Sequence, residues 1–239
     1  MFVERKKELE NLEEQYHHKD SSLVVLYGRR RIGKSALIYH FTEKKNRLLF
    51  EGLEQAGEKD QVAHFVSQLA DQSPDPLMKK IKVSKWEEAF ELINIHLDKQ
   101  KQKTVIFFDE IQWMSNGKSK LISLIKYFWD NQWKQRNCML ILCGSIASFI
   151  INQVIKSKAL YGRSNLEMQL SSLTPNEIYL FLRKKREYKE ILKYNLVLGG
   201  IPKYLEGINP AFSFEKNINR LALTKDGLFL NEIDKVFYS

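Results

Sequence analysis

The residues best suited to chemistry form a glycine-rich loop, G-x-x-x-x-G-K-S, between Gly28 and Ser35. An apolar run precedes this loop, and a helix-type segment, SALIYHF, follows it. Glycines at these positions let backbone N–H groups turn towards phosphate oxygens, while Lys34 brings a positive charge to the terminal phosphates. The Ser35 hydroxyl can bind Mg²⁺, and the start of the next helix favours anions. The predicted phosphate-binding residues are therefore Gly28, Arg29, Arg30, Arg31, Ile32, Gly33, Lys34, Ser35 and Ala36.

A second motif, VIFFDE, places two acids at the end of an apolar run. A phosphate-binding loop needs an acidic partner for its Mg²⁺ at the end of a neighbouring strand, and Asp109 fits that role. Glu110 follows directly and is the candidate for orienting and activating the attacking water. The alternative is an ordinary strand that ends in a charged turn. The presence of the loop favours the functional interpretation.

Two later residues are candidates for contact with the terminal phosphate. Ser145 ends the run LILCGS, where it is placed either to sense that phosphate or to cap the next helix. Arg163 lies in the turn LYGRS. Arg163 is a candidate for stabilising charge on the transferred phosphoryl group, in its own subunit or in a neighbouring one. The alternative, about equally supported, is that Arg163 is a surface arginine in a glycine turn.

The apolar pattern predicts an α/β fold with a parallel sheet. Runs that are apolar on both faces, Leu23–Tyr27, Thr104–Phe108 and Met139–Cys143, are typical of central strands covered by helices on both sides. Arg47–Phe50 is a further strand, and the alternating run Leu166–Leu170 suits an edge. The predicted fold is a three-layer αβα sandwich of the P-loop type, with five parallel strands in the order 5-1-4-3-2.

Helical periodicity predicts the remaining elements and a division of the chain. Residues 72–83 contain two prolines and no helical periodicity, which indicates a loop. Ser84 to Glu87 has the pattern of a capping box, which predicts that a helix begins at Ser84. Thr174 to Glu177 reads as a second capping box with proline at the first helical position. Strand patterns cease after Leu170, so residues 1–170 are predicted as a nucleotide-binding core and 171–239 as a helical lid. The helices are predicted at 2–16, 34–44, 59–71, 84–97, 118–133, 147–155, 174–181, 188–198, 212–223 and 228–237.

The charge balance bears on partners. The formal net charge is +9, from 38 basic and 29 acidic residues, which permits attraction to nucleic acid without requiring it. The basic run Arg183 to Arg186, with Lys189 and Lys193, is a candidate surface for DNA or RNA phosphates; the alternative is a solvated helix face.

Other composition features bear on location. No apolar run is long enough to span a membrane, and charges near the N-terminus do not suit a secretory signal. The two cysteines, Cys138 and Cys143, are an odd number of positions apart on one predicted strand, so their side chains should point to opposite faces. A disulfide between them is not expected, and this pattern suits a reducing cytoplasm.

Taken together, these motifs resemble the archaeal-type ATPase family, which is AAA-related and close to the STAND and Orc1/Cdc6-like groups. The resemblance covers nearly the whole chain. It rests on FVERKKEL, YGRRRIGKS (Walker A), FFDEIQWM (Walker B), LILCGS, LYGRS, SSLTPNEIYLFL and LVLGGIPKYL. It implies ATP rather than GTP, and the chain has no guanine-reading N-K-x-D motif. It also implies that Arg5, the arginine of the opening box that precedes the nucleotide domain, is a nucleotide-binding residue.

The resemblance has two departures. Many members have two arginines after the glycine of the arginine turn, whereas here Ser164 follows Arg163. Members usually continue past the lid into a winged-helix segment and a nuclease-like domain, which implies that this sequence is a fragment or a short relative.

The leading functional hypothesis is magnesium-dependent ATP binding and hydrolysis. Two alternatives remain open at this point. One is a nucleotide-dependent binding switch with negligible turnover, and the other is an ATPase that works on nucleic acid. A homo-oligomer, with Arg163 acting across the interface, is also left open.

Overall fold

The computed structural model of the chain describes residues 5–116, 120–146, 149–156, 160–182, 186–224, 227 and 229. The chain divides into two compact units. The sheet unit consists of residues 5–30 and 34–170, and the helical unit consists of residues 1–4, 31–33 and 171–239.

The sheet unit is built on five parallel strands in the order β2-β3-β4-β1-β5. This order confirms the predicted 5-1-4-3-2 arrangement. Because all the strands run the same way, their carboxyl ends share one edge of the sheet. The strands are β1 (Ser22–Tyr27), β2 (Asn46–Glu51), β3 (Thr104–Asp109), β4 (Cys138–Gly144) and β5 (Leu166–Gln169).

The burial of each strand follows its sequence pattern. Every residue of β3 and β4 is buried, as expected for central strands rich in branched and aromatic side chains. In β5, Met168 is buried while Glu167 and Gln169 are exposed, which confirms the edge position. Both Cys138 and Cys143 are free thiols buried in β4, as expected.

Among the described residues, six helices belong to the sheet unit. They are α1 (Lys6–His17), α2 (Lys34–Phe41), α3 (Glu58–Gln72), α4 (Trp86–Leu97), the single turn α5 (Ile111–Met114) and α6 (Lys120–Asn131). Short 3₁₀ turns follow at Pro76–Lys80 and Trp133–Gln135, and a π-type turn lies at Ile150–Ile155. Within the described residues, no helix combines the length and apolar character needed to cross a bilayer.

An aromatic cluster holds α3 and α4 on the sheet. The rings of Phe50 and Phe65 stack with centroids 3.9 Å apart, and those of Phe90 and Phe108 lie 5.9 Å apart. Trp133 is fully buried among them, 5.1 Å from Phe90. Burying one such ring stabilises the fold by about 1.5–3 kcal/mol, so this cluster anchors β2 and β3 just below their carboxyl ends.

The helical unit has its own small core. Its helices are α7 (Pro175–Phe181), α8 (Tyr188–Leu198), α9 (Pro202–Leu205) and α10 (Phe214–Ile218), followed by a π-type turn at Asn219–Leu223. Ile178, Ile191 and Tyr194 are fully buried and pack together. The capping box is present as predicted, because the Thr174 hydroxyl accepts from the Glu177 N–H while the Glu177 carboxylate accepts from the Thr174 N–H.

Some sequence predictions were wrong. Ser84 does not cap α4; Lys85 occupies that position, and the Ser84 N–H instead donates to the Glu88 carboxylate at 3.1 Å. Ser84 lies one residue too early for its hydroxyl to reach the free amides of the first turn. The predicted loop at 72–83 contains the 3₁₀ turn at Pro76–Lys80, capped by Asp75. The short helix α9 was not predicted.

Parts of several predicted helices lie outside the described residues. These parts are 2–4, 118–119, 147–148, 228 and 230–237.

Candidate functional site

The glycine-rich loop joins the end of β1 to the start of α2. A Cβ atom at Gly28 would lie 2.6 Å from the carbonyl oxygen of Leu170, so only glycine fits there. Gly33 has φ +95°, a backbone conformation that other residues rarely adopt. Both glycines are therefore required by the loop's shape.

Lys34 is the first residue of α2, and its side chain turns back towards the start of the loop. Its Nζ donates to the carbonyl oxygens of Gly28 and Arg29, each at 3.0 Å, and the residue is only 6% exposed. A buried ammonium is thus held beside the loop backbone, in a place suited to meet a bound anion.

Ser35 and Asp109 are in direct contact. The Ser35 hydroxyl donates to the Asp109 carboxylate, whose other oxygen accepts from the Glu110 N–H at 3.0 Å. Burial raises the pKa of Asp109, while hydrogen bonds from Ser35 and from the Cys143 thiol act in the opposite direction. Asp109 is 74 positions after Ser35 in the sequence, and folding brings its side chain to the loop, as the two motifs predicted.

The Ser35–Asp109 pair fits a magnesium site. A hydroxyl and a carboxylate oxygen are hard donors of the kind that Mg²⁺ takes. Across the described part of the chain, no cluster of three or more His, Cys, Asp or Glu residues could hold a metal ion. In general, Mg²⁺ is often held by one or two protein carboxylates together with substrate phosphates.

Glu110 directly follows β3 and has a left-handed backbone, with φ 49°. One oxygen of its carboxylate, Oε2, accepts from the Ser145 N–H at 3.2 Å, from the Ser145 hydroxyl at 2.8 Å, and from the Gln112 amide. The other oxygen, Oε1, accepts no hydrogen bond from any residue that the structure describes. Ser145 and Glu110, both predicted site residues, are thus brought together.

A third carboxylate lies at the same edge of the sheet. Glu51 ends β2 and is the register partner of Asp109. Burial raises the pKa of Glu51, and the charges of Asp109 and Glu110 raise it further. The strand ends therefore gather negative charge that a bound cation would neutralise.

The predicted phosphate-binding residues between the two glycines, together with Ala36, differ in exposure and in their contacts. Arg30 lies 5.3 Å from the centre of the Trp113 ring and pairs with Glu54 at 3.3 Å. Arg29, Arg31 and Ala36 are exposed, whereas Ile32 is buried.

Arg5 is buried beside α1. Its guanidinium pairs with Glu8 at 3.2 Å.

Arg163 is not gathered with the other predicted site residues. Its Nε and one terminal nitrogen donate to the two oxygens of Asp130 on α6, at 2.8 and 3.0 Å. This bidentate hydrogen bond lowers the pKa of Asp130. The other terminal nitrogen of Arg163 donates to the carbonyl oxygen of Tyr161 at 3.4 Å.

The predicted basic run is only partly described, because residues 183–185 lie outside the described ranges. Arg186 bonds to Glu190 at 2.8 Å and to the carbonyl oxygens of Asn209, Pro210 and Phe212. Lys193 pairs with Glu215 at 3.8 Å. Arg186 therefore stabilises the helical unit and is not available as a phosphate contact in this structure.

Sequence reasoning missed three residues at the site. Gln112 lies within the quoted motif FFDEIQWM, yet an amide there carries no motif signal of its own. Cys143 was considered only for disulfide pairing, although its thiol lies at Asp109. Glu51 could have been found by aligning the ends of two adjacent parallel strands.

The sheet order, the loop between β1 and α2, and the acid at the end of β3 define the class: this is a P-loop nucleoside-triphosphatase fold. A family model described as an ATPase domain predominantly from Archaea matches residues 2–208. The chain belongs to this family of archaeal-type ATPase domains.

Two curated relatives come from Methanocaldococcus jannaschii. An uncharacterized protein is 28% identical over 237 residues, which cover 98% of this chain and 49% of that protein. An uncharacterized ATP-binding protein is 53% identical over 45 residues, which cover 19% of this chain and 76% of that protein. The chain thus spans about half the length of the first of these relatives.

Solved structures show the same fold. A Walker-type ATPase of Pyrococcus abyssi superposes with a TM-score of 0.74 at 21% identity, over 99% of this chain and 76% of that one. The Aeropyrum pernix ORC1 protein, solved in complex with DNA, gives 0.56 at 15% identity, over 77% and 49% of the two chains. A Pyrococcus horikoshii STAND protein with a tetratricopeptide repeat sensor gives 0.56 at 18%, over 91% and 32%.

Proposed function

We propose that this chain binds ATP together with Mg²⁺ and hydrolyses it. The observation that carries the proposal is the contact between Ser35 and Asp109, because it joins the phosphate loop to the acidic strand end in the arrangement that P-loop enzymes use. Membership of an ATPase-domain family supports ATP as the nucleotide.

Each of the gathered residues takes one role in this proposal. The loop from Gly28 to Gly33 and the ammonium of Lys34 bind the phosphates. Ser35 and Asp109 hold Mg²⁺, which when bound neutralises charge on the phosphate oxygens. Glu110 orients the attacking water and accepts its proton through the free oxygen Oε1, while Ser145 holds the opposite oxygen.

Arg163 and Arg5 have weaker support for a role at the phosphates. Both are engaged elsewhere, Arg163 by Asp130 and Arg5 by Glu8. We propose that Arg163 acts at the phosphates only after it leaves Asp130. A hydrolysis rate per chain that rises with chain concentration would support its action from a neighbouring subunit, and a constant rate would remove that part of the proposal.

The test is nucleotide binding and turnover measured together. We expect the wild-type chain to bind ATP and to release phosphate only when Mg²⁺ is present. Lys34→Ala should lose ATP binding, since the buried ammonium can no longer meet the phosphates. A matched control is Lys45→Ala, which removes a half-buried lysine that pairs with Glu13 on α1. Equal ATP affinity in wild type and Lys34→Ala would overturn the proposal.

A switch with negligible turnover remains the alternative function. It would follow if, with ATP bound, the bonds from Ser145 and Gln112 held the Glu110 carboxylate away from the attacking water instead of presenting Oε1 to it. Single-turnover phosphate release decides between the two, because a switch would bind ATP without releasing phosphate.

Action on nucleic acid is a further proposal, supported by the net charge of +9 and by a structural neighbour solved with DNA. Arg186 does not contribute to it, given its bonds to backbone carbonyls. DNA affinity that falls steeply with salt would support the proposal, and equal binding at low and high salt would remove it.

A further inference from the structure

Gln112 is a buried residue next to the site that the proposed mechanism does not use. It lies in the single turn α5, two residues after Glu110, and is 4% exposed. Its Nε2 donates to the Glu110 carboxylate and also, at 3.2 Å, to the Ser145 hydroxyl. One amide nitrogen thus connects the end of β3 with the end of β4.

The other half of this amide makes no compensating bond. Among the described residues, Oε1 of Gln112 is one of three buried side-chain polar atoms without a hydrogen-bond partner. It lies against the end of β4, where a Cβ at Gly144 would come within 2.5 Å of it. A buried amide with an unpaired oxygen is unfavourable for stability alone, which indicates that its nitrogen serves another purpose.

The bonds of Glu110 suggest what that purpose is. The two N–H donors and one hydroxyl donor all bind the same oxygen, Oε2, and they approach from Gln112 and Ser145 only. Ser145 supplies two of these bonds from the end of β4. Gln112 supplies the third from a second element, α5, so that two elements together hold Oε2 and restrain the carboxylate while Oε1 stays without a donor among the described residues.

We propose that Gln112 is a positioning residue for Glu110, fixing the carboxylate so that Oε1 is presented to the attacking water. This inference rests on the proposed hydrolysis and names a residue that acts only through Glu110. Gln112 does not itself touch the nucleotide. Its removal should therefore slow the chemical step and leave ATP binding unchanged.

The test is Gln112→Met, which keeps the length of the side chain but removes the amide donor. We expect kcat to fall about tenfold to a hundredfold, because a small misplacement of a catalytic group has effects of that size. The KM for ATP and the ATP affinity should stay at their wild-type values. A purely structural role would instead change thermal stability and both kinetic constants together, or none of them.

Gln72→Leu is the matched control. Gln72 is a half-buried amide on α3 that bonds to the backbone of Leu49 at 2.7 and 2.8 Å and makes no hydrogen bond to Glu110, Ser145 or Asp109. This variant should lose stability and keep the wild-type kcat. If Gln72→Leu and Gln112→Met lowered kcat equally, the proposal would be overturned.

A double-mutant cycle separates this inference from the proposed function. In a Glu110→Gln background, Gln112→Met should have no further effect on the remaining rate, because the residue acts through Glu110. Additive losses would contradict the positioning role. If the wild-type chain binds ATP without hydrolysing it, the proposed function fails and this inference fails with it. If wild type hydrolyses ATP and Gln112→Met has the same kcat, only the inference fails.

Discussion

Replacing Asp109 with asparagine should make the nucleotide-free protein more stable while it impairs the site. Asp109 is 4% exposed and lies beside the carboxylates of Glu51 and Glu110. Burial raises its pKa, with the charge of Glu110 adding to the effect. For an acid whose pKa is raised by folding, the ionised form opposes folding at neutral pH. Asparagine removes that charge, and its Oδ1 can still accept the Ser35 hydroxyl. Its amide nitrogen cannot accept the Glu110 N–H, and the loss of that bond offsets part of the gain.

The size of the gain follows from the charges at the strand ends. Neighbouring strands lie about 4.8 Å apart, so carboxylates on register partners such as Glu51 and Asp109 are separated by about 6 Å. At an effective dielectric constant of about 20–40 for a buried carboxylate beside an exposed one, their repulsion is about 1.4–2.8 kcal/mol, and the lost bond from the Glu110 N–H reduces the net gain. A net gain of about 1 kcal/mol raises the melting temperature by about 2–4 °C for a unit of this size.

The assay is thermal unfolding of wild type and Asp109→Asn in EDTA between pH 5 and pH 8. The stability that protonated Asp109 contributes is present below its unfolded pKa, near 3.8, and is lost as pH rises through the raised folded value. The advantage of the variant should therefore be larger at pH 8 than at pH 5. Mg²⁺ with ATP should raise the melting temperature of wild type much more than that of the variant.

Asp130→Asn serves as a control of opposite sign. The hydrogen bond from Arg163 lowers the pKa of Asp130, so its ionised form stabilises the fold above the ordinary pKa, and that stability is lost as pH falls through the lowered value. This variant should be less stable than wild type at pH 8, by up to about 1 kcal/mol. If Asp109→Asn melted at or below the wild-type temperature in EDTA at pH 8, the electrostatic reasoning would be refuted.

Three further outcomes are expected. Asn94→Leu should lower the free energy of unfolding by about 1–3 kcal/mol in a urea titration. The reason is that the buried Trp133 N–H donates to the Asn94 amide oxygen at 2.9 Å and would lose this partner. An unchanged free energy of unfolding would contradict this. The folded protein should resist alkylation at pH 8, because burial raises the pKa of Cys138 to about 12 and that of Cys143 well above its ordinary value; rapid labelling before urea is added would show that the thiols are accessible. Arg186→Met should make the helical unit more sensitive to proteolysis than wild type, since it removes bonds to three backbone carbonyls; equal cleavage rates would argue against that structural role.

The fold was largely predictable because its strands carry strong local signals. Continuous apolar runs such as Val105–Phe108 allow only a central, doubly covered position, and β5 alternates as an edge strand should. Helix boundaries were less predictable. Ser84 has the residue type and spacing of a cap, but the chain reaches helical geometry two residues later.

The candidate site was predictable only where a sequence motif specifies both the type of a residue and the residue that it contacts in the folded site. The loop and Asp109 are of this kind, and the structure brings Ser35 and Asp109 into contact. Gln112 and Cys143 contact the site acids because side chains pack together at the strand ends. Such contacts produce no periodic pattern in the sequence, so they could not be predicted from it. For Arg163 the turn motif left a phosphate contact and a surface arginine equally open, and the structure pairs the side chain with Asp130.

The central claim is that the acid after β3 activates water for ATP hydrolysis. Phosphate release under single-turnover conditions, measured with Mg²⁺ for wild type and Glu110→Gln side by side, tests it most directly. Both proteins should bind ATP equally, and phosphate release from the variant should be slower by about 10²–10⁴-fold. Equal rates of release from the two proteins, or no release from wild type despite bound ATP, would contradict it.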